Sequence, residues 1–121
     1  MSDEPAVEQL MRLSWRIDES YLLLTVEGEI DVLTAPRLDV ALRKGVDECA
    51  DRPLVLDLTR VELLSSAGLR VLFEARGWAE ELAEPLRVVV GHTRPVVWPL
   101  ELTGLASLLA LYESVEEALA G

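Results

Sequence analysis

Leu54-Val55-Leu56-Asp57-Leu58 is followed, after six intervening residues, by Ser65-Ser66-Ala67-Gly68-Leu69-Arg70. The first run is short and almost wholly apolar, as expected of a strand buried on both faces. Beyond the two serines, Leu69, Leu72, Phe73, Ala75, Ala79 and Leu82 recur at helical spacing until Pro85, which predicts a helix from about Ser66 to Glu84 with these apolar residues on its core side. Between strand and helix, Thr59 to Ser65 reads as a loop.

The same alternation extends in both directions. Upstream, Leu13 to Asp18 alternates apolar and polar residues, and Tyr21 to Val26 is nearly continuously apolar. Asp18-Glu19-Ser20 makes a short link, so the two strands are read as an antiparallel hairpin ended by Gly28. Thr34 can cap a helix running to Ala50, Pro36 sits in its first turn, and Leu38, Leu42, Val46 and Cys49 face the core. Downstream, Leu86 to Val90 reads as a strand, and Thr93-Arg94-Pro95 opens a short helix that ends near Thr103-Gly104. Leu108 to Leu111 is a last strand, and Ser114 with Glu117 forms a capping box for a terminal helix. The expected fold class is α/β: a mixed, mostly parallel sheet of about five strands with an N-terminal antiparallel hairpin and about four helices.

Composition bounds the function. The chain has 121 residues, half of them apolar, with 11 Lys and Arg against 22 Asp and Glu, a net charge of −11. One domain is expected. We read residues 1–10 as a flexible acidic N-terminus and 11–121 as the folded domain. No nucleic-acid partner is expected, because phosphate backbones need clustered cations and these are scattered. No membrane partner is expected either: an anionic surface repels such a protein, and no apolar run approaches the roughly 18 residues of a spanning helix. Asp3, Glu4 and Glu8 are the opposite of a basic signal-peptide start, which points to the cytoplasm. Cys49 is the one cysteine, so neither an intrachain disulfide nor a cysteine-rich metal site is possible.

Catalytic chemistry finds little support. His92 is the single histidine, the seven glycines are dispersed, and Ser66 lacks a nucleophile-elbow motif, so a hydrolase using Ser66 and His92 is a minor reading. No metal site and no cofactor are expected. Asp57 resembles a receiver-domain phosphoacceptor only superficially, since Lys44 in the first helix is the single lysine; it is read instead as tying down loop amides. Ser66 is more informative. At a helix start the first N–H groups are unpaired and the macrodipole favours an anion, so the fold would tolerate a phosphoserine there. Such a group would add about −1.5 to −2 charges to the surrounding surface. The plainer alternative is that one serine is only an N-cap. Trp78, among Arg76, Gly77, Glu80 and Glu81, is read as core margin in preference to a contact.

These segments resemble the anti-sigma factor antagonists, single STAS domains of bacteria. The resemblance is carried by Gly28-Glu29-Ile30-Asp31 with Thr34-Ala35, by Val55-Leu56-Asp57-Leu58-Thr59, and by Val61 with Ser65-Ser66-Ala67-Gly68-Leu69. Leu102-Thr103-Gly104-Leu105 and Ser114-Val115-Glu116-Glu117-Ala118-Leu119 extend it, so that it runs from about Leu13 to the C-terminus. It implies a protein that binds an anti-sigma factor which is also an ATP-dependent serine kinase, thereby releasing a sigma factor. The kinase phosphorylates a serine at the start of the helix after the third strand, and a serine phosphatase reverses this. The antagonist itself is not an enzyme. By motif position the phosphorylated residue is Ser66, with Ser65 as second candidate, and the partner surface comprises Asp31, Thr34, Ser66, Gly68, Leu69 and Arg70. The family often carries Asp where this chain has Ser65, and Ser or Thr where it has Ala67. A STAS scaffold that is never phosphorylated, in a transporter or signalling assembly, is the alternative.

Overall fold

The computed structural model describes residues 7–121; residues 1–6 of the expected flexible N-terminus lie outside the described residues. A single turn, α1 (Val7–Leu10), leads into a five-stranded sheet: β1 (Met11–Ile17), β2 (Leu22–Ile30), β3 (Leu54–Leu64), β4 (Arg87–Val89) and β5 (Ala110–Tyr112). The helices are α2 (Ala35–Glu48), α3 (Ser66–Ala79), α4 (Arg94–Leu102) and α5 (Val115–Ala120), with a 3-10 turn at Leu105–Ser107. Strand order follows the chain, β1-β2-β3-β4-β5, with β1 antiparallel to β2 and the remaining pairs parallel. The fold is thus the expected mixed sheet with an N-terminal hairpin.

Sequential parallel order has a consequence for layering. Right-handed crossovers that always step to the next strand in one direction place every connecting helix on the same face. Accordingly α2, α3 and α4 share one cluster with Leu24, Val26 and Ile30 of β2 and with Leu56, Leu58 and Val61 of β3. The alternate residues Leu23, Val55 and Val89 point the other way, where α5 covers them with Ala118, Val115 and Leu119. Helix α5 is capped as expected, the Ser114 hydroxyl accepting from the Glu117 N–H at 3.1 Å. Buried Arg87 secures it by donating to the Ala118 carbonyl at 2.6 Å.

Several boundaries differ from expectation. Gly28 does not end β2 but lies within it, beside register shifts in the β2–β3 pairing. Its φ of +101° belongs to glycine, and a Cβ there would run into the Leu10 carbonyl. Strand β3 continues to Leu64, because Val61 and Leu64 bury their side chains while Glu62 and Leu63 face out. Helix α3 stops at Ala79, short of Pro85; β5 is displaced to Ala110–Tyr112; and Phe73, expected in the core, is 53% exposed. Cys49 is fully buried and its burial pushes the thiol pKa up, leaving an inert core residue. Among the described residues no helix is long and apolar enough to cross a membrane.

Gly28→Ala is expected to destabilise the domain by about 1–3 kcal/mol, the cost of a side chain forced into a glycine conformation. A urea-unfolding midpoint equal to that of the wild type would contradict the assignment of Gly28 to a required bulge.

Candidate functional site: the joined ends of β2 and β3

Strands β2 and β3 stay paired to their last residues, Ile30 opposite Leu64. The Ser65 N–H then donates to the Ile30 carbonyl at 2.9 Å. The loop leaving β2 and the helix leaving β3 therefore emerge side by side, and the residues picked from the sequence, Asp31 and Thr34 on one segment and Ser65 to Arg70 on the other, become neighbours.

The first segment is held from within. Asp31 Oδ1 accepts the Leu33 N–H at 2.9 Å and the Thr34 N–H at 3.1 Å. Thr34 occupies the N-cap position of α2 without making a side-chain cap. Its hydroxyl donates instead to the Glu29 carbonyl at 2.9 Å and accepts the Asp31 N–H at 2.8 Å. Being 0% exposed, Thr34 shapes the loop and offers no surface to a partner. What the loop does present is Val32, 75% exposed, and Leu33, 61% exposed. Neither was singled out in the sequence, although two adjacent apolar residues in a short connection were the available signal.

The second segment opens α3. Ser65 is its N-cap in extended conformation, with no side-chain cap bond, and its hydroxyl is enclosed without a partner. Ser66, the first helical residue, is exposed. No acidic residue stands in the first turn of α3, so the helix dipole meets no side-chain anion there. Gly68 is buried: a Cβ would come within 2.6 Å of Ile30 Cγ2 and of Leu64 Cδ1. It brings α3 close against the joined strand ends and is a packing position, not a contact. Leu69 is half-buried against the core.

An open groove of about 590 Å³ runs down from Ser66. Helix α3 forms one wall with Ser66, Leu69, Arg70, Phe73 and Glu74; Thr103, Leu105 and Leu108 form the other. The Arg70 side chain is 81% exposed, with its Nε 3.7 Å from Glu74 Oε1. Leu63, Trp98 and Leu102 also face solvent, Leu63 and Trp98 lining a separate hollow with Arg94. Trp78, by contrast, packs against the core with the Arg43 guanidinium 4.6 Å from its ring centre, in line with the core-margin reading.

The hydrolase reading is not supported. His92 lies in the loop after β4, 3.7 Å from Glu113, while Thr93 beside it donates to the Thr59 carbonyl. Thr59 is seven residues before Ser66 along the chain, mostly extended strand, and each strand residue spans about 3.3 Å. Asp57 has the structural role anticipated for it: its carboxylate accepts from the Thr59 N–H at 2.9 Å and from the Thr59 hydroxyl at 2.8 Å. Among the described residues no group of His, Cys, Asp and Glu could hold a metal ion.

The STAS domain model matches residues 12–118. The chain belongs to the STAS domain family. RsfB of Mycobacterium tuberculosis (strain H37Rv), an anti-sigma-F factor antagonist, is 34% identical over 102 residues, covering 82% of this chain and 79% of RsfB. The crystal structure of an anti-sigma factor antagonist from Mycobacterium paratuberculosis superposes with a TM-score of 0.80 at 31% identity, covering 91% of this chain and 92% of that one. SpoIIAA of Bacillus, solved in its phosphorylated form, shares the fold at 14% identity with a TM-score of 0.62, covering 89% and 96% of the two chains.

Thr34→Val would strip the Asp31 N–H and the Glu29 carbonyl of their shared partner. The expected cost is about 1–3 kcal/mol of stability, the penalty for buried polar groups left unpaired. Urea denaturation measures it; an unchanged midpoint would mean that water or a rearranged Asp31 replaces the hydroxyl.

Proposed function

We propose that this STAS domain is an anti-sigma factor antagonist of the cytoplasm, not an enzyme, switched off by phosphorylation of Ser66. In this reading it binds an anti-sigma factor that is also an ATP-dependent serine kinase, which frees the sigma factor held by that protein. The Ser66 oxygen then takes the terminal phosphoryl group of ATP, ADP leaves, and the hydroxyl proton passes to a base of the kinase. A serine phosphatase returns the hydroxyl by hydrolysis. The relatives named as antagonists support the binding role.

One observation carries the switch: Ser66 is exposed at the first position of α3 and is bordered by exposed apolar side chains. Val32 and Leu33 lie across the paired strand ends, while Phe73 and Leu108 flank the groove below. A docking surface of this kind loses affinity when a dianion is set at its centre, because burying the phosphate without paired charges is costly. Asp31, held by its loop bonds, and Arg70 supply charges at the rim. Ser65 is the poorer acceptor, since its hydroxyl is enclosed.

Incubation with the anti-sigma kinase and ATP is expected to add one phosphate, and Ser66→Ala to abolish the labelling, as read by intact-protein mass spectrometry. Labelling of the alanine variant at the wild-type rate would remove Ser66 from the mechanism. Binding equally tight before and after stoichiometric phosphorylation would favour a constitutive STAS scaffold.

A further inference from the structure

We propose that Arg70 is the intramolecular counter-charge of the phosphorylated state, exchanging Glu74 for the phosphate on Ser66. Modification then withdraws a cation from the docking surface as well as adding an anion to it. This rests on the reading of Ser66 as the switch residue.

Ser66 and Arg70 stand four residues apart on α3 and line one groove, so their side chains share a helix face. Direction matters as well. An anion four residues before a cation is the favourable order in a helix, and the reverse order is weaker. A phosphate on Ser66 would precede Arg70, whereas Glu74 follows it. The existing ion pair is correspondingly loose, 3.7 Å between Nε and Oε1, with the two side chains 81% and 47% exposed. Pairs of that kind contribute little. A phosphate offers three strong acceptors and a geometry that suits the guanidinium fork.

Within the groove, competition for the phosphate is slight; outside it, Arg94 of α4 adjoins Leu63 and Leu64 and is stacked on the Trp98 ring, 4.9 Å from its centre. Thr103, Leu105 and Leu108 on the opposite wall carry no charge, which leaves Arg70 as the one cation and Glu74 as the one carboxylate of the groove lining. On the neighbouring loop, the Asp31 carboxylate is engaged by two backbone N–H groups. The bare first turn of α3 adds its amides to the same anion without displacing Arg70.

The test needs no kinase. Phosphoserine is installed at position 66 during translation, and the second ionisation of the phosphate is followed by 31P NMR. In the wild-type chain it is expected to fall below the ordinary value of about 6. Arg70→Gln should raise it by about 0.15 to 0.4 unit, Arg70→Lys should raise it less, and Glu74→Gln, by releasing Arg70, should lower it. Superimposable curves for the wild type and Arg70→Gln would overturn the proposal. So would an equal shift in Lys44→Gln, which removes a distant exposed cation and reports net charge alone. Because the phosphate is placed without an enzyme, a kinase that ignored Ser66 would defeat the functional reading and leave this result unaltered.

Discussion

Parallel pairing of β2 and β3 up to Ile30 and Leu64 is the constraint on which the site depends. Had β3 ended at Leu58, α3 would begin some six residues lower, about 20 Å along the strand direction. Its first turn would then lie against the body of the sheet and not beside the Asp31 loop. The hydrogen bond from Ser65 to Ile30 completes the junction, and every group assigned a role in recognition is placed with respect to it. The stiffness of the Asp31–Thr34 turn follows as well: a loop with two carboxylate-bound amides and a buried hydroxyl holds Val32 and Leu33 outward at little further cost in entropy.

Much of the fold was legible because the strands have a plain period. Leu23 against Leu22 and Leu24, and Val55 against Leu54 and Leu56, alternate between two clusters, as expected of a sheet covered on both faces. The far half of β3 was illegible for a physical reason. Thr59-Arg60-Val61-Glu62 pairs with the bulged part of β2, and β4 is too short to flank it, so its residues carry surface character while still being strand. Helix α3 misled in the other direction. Apolar spacing persists to Leu82, but Gly77 weakens the helix and Pro85 disfavours helical backbone just before it, so the last residues form turns.

The site was legible by position and less so by role. Ser66 and Arg70 face outward, and Asp31 is partly accessible; Thr34 and Gly68 act from inside. A threonine before a helix reads alike whether its hydroxyl caps that helix or braces the preceding turn, and only the backbone path distinguishes them. Likewise Phe73 fits the helical period of the core but falls at its edge, where a half-exposed ring lines a groove. Exposed apolar side chains in a protein of this charge are the better guide to a docking face than any single polar residue.

The absence of a side chain at Gly68 has a bearing on evolution of the switch. With Ile30 and Leu64 pressed against its backbone, α3 is indexed like a toothed wheel: sliding its sequence by one residue would rotate each side chain by about 100° and drive a methyl group or larger into those two neighbours. A lineage could therefore trade one hydroxyl-bearing residue for another around this glycine, yet could not shift the helix to bring a different residue to the same address.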